Sequence, residues 1–124
     1  MHINLFNNKR TTGANAEKVA KDFLIKNGYF VLETNFRTKI GEIDIVAYEK
    51  KRDCLIFVEV KYRTKNDFGL PQEAVTKNKQ KRIINTALIY LKNINKKYDN
   101  YRFDVLAISD GNKVEHIKNA FCLD

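Results

Sequence analysis

Two cysteines, two histidines, one proline and no tryptophan occur in 124 residues. Cys54 and Cys122 stand far apart, with no CxxC spacing and no histidine beside them. That argues against structural zinc and against a disulfide framework, and both read as small packing residues in a reducing compartment. His2 and His116 lie in unrelated contexts, so surface roles are expected for both, and neither a histidine-held metal nor a histidine general base. No apolar run approaches bilayer-spanning length, and the opening MHINLFNNKRTTG lacks the apolar core of a signal peptide. A cytoplasmic protein without a membrane partner is expected. Internal repeats and low-complexity linkers are also missing. Acidic charge is in short supply: 15 Asp+Glu face 23 Lys+Arg, a formal net charge of +8. An excess of that size favours a polyanionic partner, most simply nucleic acid, although a merely soluble basic protein has the same charge.

What is present fits one compact domain with a single core. Residues 1–12 are polar and basic and read as a flexible N-terminal arm. Ala16, Val19, Ala20, Phe23 and Leu24 recur at helical spacing, predicting a helix from about Asn15 to Asn27 that stops at Gly28. Strands are expected over Tyr29 to Asn35, Glu42 to Tyr48 and Cys54 to Lys61, the last with a CLIFV run that implies burial on both faces. Pro71 reads as the first residue of a long helix reaching Asn93, with Ala74, Ile84, Ala87, Leu88 and Leu91 inward. Arg102 to Ile108 and Val114 to Ile117 complete an α-β-β-β-α-β-β order, an α/β (α+β) domain.

Two of these strands carry charge where core residues belong. Asp44 lies within Gly41-Glu42-Ile43-Asp44-Ile45-Val46-Ala47, and Glu59 and Lys61 within Phe57-Val58-Glu59-Val60-Lys61. A carboxylate in such a run is costly unless it is paired, hydrogen-bonded or bound to metal. Period two puts Leu55, Phe57, Glu59 and Lys61 on one face, the last two roughly 7 Å apart. In a hairpin, Asp44 and Glu59 can share one Mg²⁺ or Mn²⁺, with the Val60 carbonyl as a further oxygen. Lys61 can orient water or stabilise developing phosphorane charge. Glu17 borders the first helix's apolar stripe and can lean over the sheet edge. The mundane reading is a structural ion-pair cluster for the strand residues and a solvated helix residue for Glu17. Arg37, Lys39, Arg63, Lys65, Lys77, Lys79, Lys81 and Arg82 can flank a groove leading to the acids, or individually be solvated lysines and arginines. Spacing does not choose between Lys79 and Gln80 as a supporting residue of the acids. Asp104 is expected to make a structural bond.

Gly13-x-x-x-Glu17-x-x-Ala20, Asn35-x-Arg37, GEIDIVA, FVEVKYR, Arg102-Phe103-Asp104-Val105 and Asn119-Ala120-Phe121 together resemble the UPF0102 (YraN-like) family. That family is similar to Holliday-junction resolvases of the restriction-endonuclease-like PD-(D/E)xK superfamily. The resemblance covers nearly the whole chain in the family's order. It implies a restriction-endonuclease-like core over 13–124, a central mixed sheet flanked by helices. It also implies Asp44, Glu59 and Lys61 as catalytic positions and Glu17 as the first-helix acid of resolvase-like members. One position departs: Ile43 stands where the superfamily nominally has proline. The expected function is a Mg²⁺- or Mn²⁺-dependent endonuclease hydrolysing phosphodiester bonds in DNA, branched or recombination intermediates included. A homodimer is implied by analogy with resolvases, which cut two strands. Two rivals fit the same residues: a nucleic-acid-binding module with a vestigial site, and an adaptor whose basic face meets an acidic protein.

Overall fold

The computed structural model describes residues 13–122, with side chains from residue 15 onward. The expected arm over 1–12 and His2 lie outside the described residues. Helix α1 (Gly13–Lys26) leads into strand β1 (Phe30–Arg37), then β2 (Glu42–Glu49) and β3 (Cys54–Tyr62). Helix α2 (Lys77–Asn93) crosses over to β4 (Asn100–Ser109), and β5 (Lys113–Phe121) closes the sheet. The strands lie in sequence order, antiparallel except for the central β3–β4 pair, which is parallel because α2 carries the chain back. The element order and α+β class are those expected from the apolar periodicity, and the mixed sheet with flanking helices is the one the family resemblance implies.

Each sheet face builds its own core. Ala16, Ala20 and Leu24 of α1 pack with Ile45, Ala47, Ile56, Val58, Leu106 and Ile108. Opposite, Ile83, Ile84, Ala87 and Tyr90 of α2 pack with Val46, Leu55, Phe57, Phe103 and Val105. The CLIFV run is buried on both faces because β3 is central and each face carries a helix.

Four local expectations are corrected. Pro71 opens only a short 3₁₀ turn, Pro71–Ala74, and extended Val75 separates it from α2. The helix begins where the Thr76 hydroxyl accepts the Lys79 N–H at 3.2 Å, satisfying a donor that the first turn leaves free. Leu88 is not inward: it is 47% exposed, because the buried stripe of α2 runs through Ile83, Ile84, Thr86, Ala87 and Tyr90. Strand β5 runs four residues past Ile117, to Phe121; Asn119 takes φ 54° there, and its N–H donates to Asp104 Oδ1 at 2.9 Å. Cys122 is exposed, against the packing role expected, whereas Cys54 is buried. Among the described residues no helix is long and apolar enough to cross a membrane.

Gly41 sets the approach of α2 to the sheet. A methyl group there would stand 2.6 Å from Thr86 Oγ1 and 3.1 Å from the Arg82 carbonyl oxygen. Only a residue without a side chain lets the helix lie this close to the β1–β2 turn. That closeness brings the first turns of α2 over the end of β2.

Candidate active site

The β2–β3 ladder stops at the Ile45–Val58 pair. One step further would set Asp44 directly opposite Glu59, and like charges facing one another across a ladder destabilise it. Pairing ends there, and the Asp44 Oδ2 atom instead accepts the Val60 N–H at 2.8 Å. The side chain thus takes over the acceptor role that a strand carbonyl would have held. Glu59 is 6% exposed, yet its Oε2 atom lies 2.6 Å from Lys79 Nζ, reaching in from the first turn of α2. The side chains of Asp44 and Glu59 come close enough to share a hydrogen bond when one of them carries a proton.

A cleft of about 270 Å³ opens at this point, lined by Glu17, Asp44, Glu59, Val60, Lys61 and Lys79. A neighbouring cleft of about 330 Å³ shares Asp44, Glu59 and Lys79 and adds Gly41, Glu42 and Arg82. Sheet end, α1 and α2 converge here.

The electrostatics are unbalanced. Burial pushes the Asp44 carboxyl up to about 8, with the facing Glu59 charge and, further off, Glu17 adding to it; the Val60 N–H works against them. Lys79 is held above the ordinary lysine value, because the bond and charge of Glu59 outweigh its burial. Among the described residues Lys79 is the cation in ion-pair contact with these two adjacent carboxylates, and a proton on Asp44 supplies further neutralisation. A divalent cation neutralises the same charge. The oxygens not engaged by Val60 and Lys79, with the Val60 carbonyl, form the donor set that a hard ion such as Mg²⁺ accepts alongside water and phosphate oxygens. The residues fit such an ion, although among the described residues no group of three His, Cys, Asp or Glu side chains could hold a metal unaided.

Residues 16–108 match the family described as Uncharacterised protein family UPF0102. The chain belongs to the UPF0102 family. A UPF0102 protein of Caldanaerobacter subterraneus subsp. tengcongensis is 45% identical over 120 residues, 92% of this chain and 97% of that protein. One from Thermodesulfovibrio yellowstonii is 46% identical over 109 residues, 88% of this chain and 94% of its own length. A third, from Pelobacter propionicus, is 47% identical over 116 residues, covering 90% and 83% respectively.

In this UPF0102 chain the expected acids and Lys61 come together, and Glu17 joins them on the cleft wall. Between Lys79 and Gln80 the geometry chooses Lys79; the Gln80 side chain instead donates to the Val75 carbonyl at 3.0 Å. The sequence signal was position alone, since nothing in KNKQKR distinguishes the lysine that points inward. Of the other basic residues, Arg82 lines the second cleft, and Lys39, Lys65, Lys77 and Lys81 are exposed. Arg37 pairs with Glu42 at 3.0 Å, which gives Glu42 its turn-orienting role. Arg63 is not presented to solvent: its side chain is 12% exposed and holds the Phe68 and Gly69 carbonyls at 3.3 and 3.0 Å.

His116 corrects the expected surface role. Its Nε2 atom lies 2.7 Å from Asp104 Oδ2, and its ring meets Phe23 and Tyr29 edge-on. Asp104 is fully buried and also takes a two-pronged bond from Arg102, at 2.8 and 2.9 Å. Asp104 makes the structural bond expected of it, with more partners than the sequence revealed.

Proposed function

We propose that this protein is a divalent-metal-dependent endonuclease that hydrolyses phosphodiester bonds in DNA, branched or recombination intermediates among its substrates. The observation that carries the reading is the pair of carboxylates forced together where β2 and β3 part, with Asp44 pushed up to about 8 and Lys61 on the same cleft wall. Perturbed carboxylates in a cleft are what metal-assisted hydrolysis requires, and a structural cluster gains nothing from leaving one acid uncompensated.

In this reading Asp44, Glu59 and the Val60 carbonyl hold Mg²⁺ or Mn²⁺. The ion, when bound, supplies Lewis acidity toward a phosphate oxygen and makes water more acidic. The Val60 N–H fixes the Asp44 carboxylate, and Lys79 fixes that of Glu59. Lys79 is committed to Glu59, which leaves Lys61 to orient the attacking water and stabilise charge on the phosphate. Glu17, which α1 brings to the same cleft, orients a water there. Arg82, Lys77, Lys81, Lys39 and Lys65 supply the positive field along which a phosphate backbone lies.

Purified protein offered branched, single-stranded and duplex DNA with Mg²⁺ or Mn²⁺, beside Glu59→Gln and Lys61→Ala, tests the assignment. Metal-dependent cleavage lost in both variants supports it. Nicking that persists in both marks a contaminant and removes the enzyme. Salt-sensitive DNA binding with no cleavage on any substrate leaves the binding module, a reading favoured by the small number of acids at the site.

A further inference from the structure

We propose that the loop between β3 and the Pro71 turn is a base-reading element, in which the Phe68 ring stacks on an unpaired base of the DNA lying in the cleft. The proposal rests on the DNA reading of that cleft, and it names the substrate feature recognised there: bases free of a partner strand.

Phe68 is 93% exposed, while the other large exposed apolar residues among those described lie between 44% and 55%. Isolated surface apolar residues are ordinary, but a phenylalanine with almost its entire ring in water is not. The loop around it is built, not slack. Thr64 N–H donates to Asp67 Oδ2 at 2.6 Å, and Asp67 N–H to the Thr64 carbonyl at 3.2 Å. Arg63 grips the Phe68 and Gly69 carbonyls, and Leu70 N–H donates to Glu73 Oε1 at 2.8 Å. Gly69 takes φ 77°, and a side chain there would strike Glu73 Oε1 at 2.6 Å, so the backbone has one way to turn. Every neighbour of Phe68 is tied down while its ring touches solvent. With the backbone held, only the two side-chain torsions of Phe68 remain to be ordered on binding, which suits the ring to stacking.

Position and charge choose the occupant. The loop leaves β3 two residues after Lys61, and Arg63 keeps the Phe68 backbone within one arginine side chain of that strand end. Lys65 is exposed in the same loop, whereas Asp67 is occupied by Thr64 and kept below the usual aspartate value by that backbone bond. An aromatic ring in the same loop as the exposed Lys65 matches an unstacked base flanked by phosphates, and less well an acidic protein, which offers no apolar face for the ring. Leu70, 54% exposed, extends the apolar tip. A continuous duplex presents no free base face to it.

Binding is read in EDTA, so that cleavage plays no part, by anisotropy on a continuous duplex and on the same duplex carrying an unpaired stretch with 2-aminopurine. Wild-type protein is expected to prefer the unpaired substrate and to quench the 2-aminopurine. Phe68→Ala should weaken that binding about ten-fold and abolish the quenching, with duplex affinity unchanged; Phe68→Trp should restore both. Because the ring packs on nothing, the melting temperature should not move. Equal affinities of wild type and Phe68→Ala for both substrates overturn the proposal. So does an equal loss on both, or a change of oligomeric state with DNA binding intact, which would make Phe68 a protein contact. Quenching by wild type with no cleavage under Mg²⁺ or Mn²⁺ sinks the nuclease and keeps the stacking loop.

Discussion

Asp44 and Asp104 are both aspartates set in apolar strands of one sheet, and burial acts on both to raise the carboxyl. They end in opposite states. At Asp104 the His116 and Arg102 bonds, with the Asn119 N–H, overcome burial and hold the group below the ordinary aspartate value. Arg102 in turn is held above its ordinary value, and it also lies 3.8 Å from Glu49. At Asp44 the single N–H of Val60 is outweighed by burial and by Glu59. Asp104 is compensated from three sides and sits where β4 and β5 shift register. Asp44 faces another acid over an open cleft. A buried acid that has everything it needs holds the fold together; Asp44 lacks such partners, and the proposed metal would supply the missing charge.

The largest effect expected from breaking this contrast is at the compensated acid. Asp104→Ala leaves Arg102 buried without its carboxylate and should cost about 3–5 kcal/mol in chemical denaturation. Its depressed carboxyl also sets a sign: this stabilisation is present above the ordinary aspartate pKa and is lost as pH falls through the lower folded value. A loss of only a few tenths of a kcal/mol would mean that the network is incidental.

Asp44→Asn should do the reverse. The amide oxygen can still accept the Val60 N–H, the repulsion from Glu59 disappears, and stability at pH 8 should rise on the order of 1 kcal/mol. Cleavage should fall on the order of 10³-fold through loss of a metal-holding carboxylate. In the wild type the contribution of Asp44 itself is most favourable below the unfolded pKa of 3.8 and declines as pH climbs toward about 8, opposite in sign to that of Asp104. Mg²⁺ or Mn²⁺ should lift the melting temperature more at pH 8 than at pH 6, because the ion requires the ionised pair. A variant that is destabilised at pH 8, or a melting temperature indifferent to divalent ions at every pH, would place Asp44 with Asp104 as a structural acid.

How much of this contrast the sequence carried depends on the range of the contacts. Asp44, Glu59 and Lys61 were legible because each interrupts an apolar run, and a two-residue period plus a hairpin is enough to bring them together. Asp104 was legible only as a bonded acid. Its partner His116 comes from a strand whose polar Lys118-Asn119 pair hides its true length, so the histidine looked superficial. The start of α2 was misplaced because Pro71 and Thr76 are both good openers, and only the extended Val75 decides between them. Arg63 was misjudged for a related reason. A basic residue just after the strand that carries Glu59 and Lys61 suggests phosphate binding, while the loop carbonyls that capture it leave no mark in its own neighbourhood of sequence.

A smaller effect is expected at Gly41, which joins the site to the fold without touching chemistry. Gly41→Ala places a methyl group against Thr86 and the Arg82 carbonyl, and the helix must yield at a cost of about 1–3 kcal/mol. The shift would carry Lys79 away from Glu59, so cleavage should fall by more than the loss of folded protein explains. Unchanged specific activity per folded molecule would show that the spacing of α2 serves packing alone.

The smallest effect tests Lys79, the cation paired with Glu59. Lys79→Met keeps most of the helix packing and removes the charge that holds Glu59 at 2.6 Å. Its side chain is 48% exposed, so solvent screens the pair and the stability change should stay within about 1 kcal/mol. The functional readout separates two roles. If Lys79 positions Glu59, the variant should cleave about ten-fold more slowly at saturating Mg²⁺. Loss of its positive charge should also let the ion bind at least as tightly as before, since less repulsion opposes it. Weaker DNA binding with an unchanged rate at saturation would instead return Lys79 to the basic flank, as a phosphate contact. The first outcome widens the distance between the two acids of the sheet: Asp104 keeps its cations for good, while Glu59 borrows one that leaves room for another.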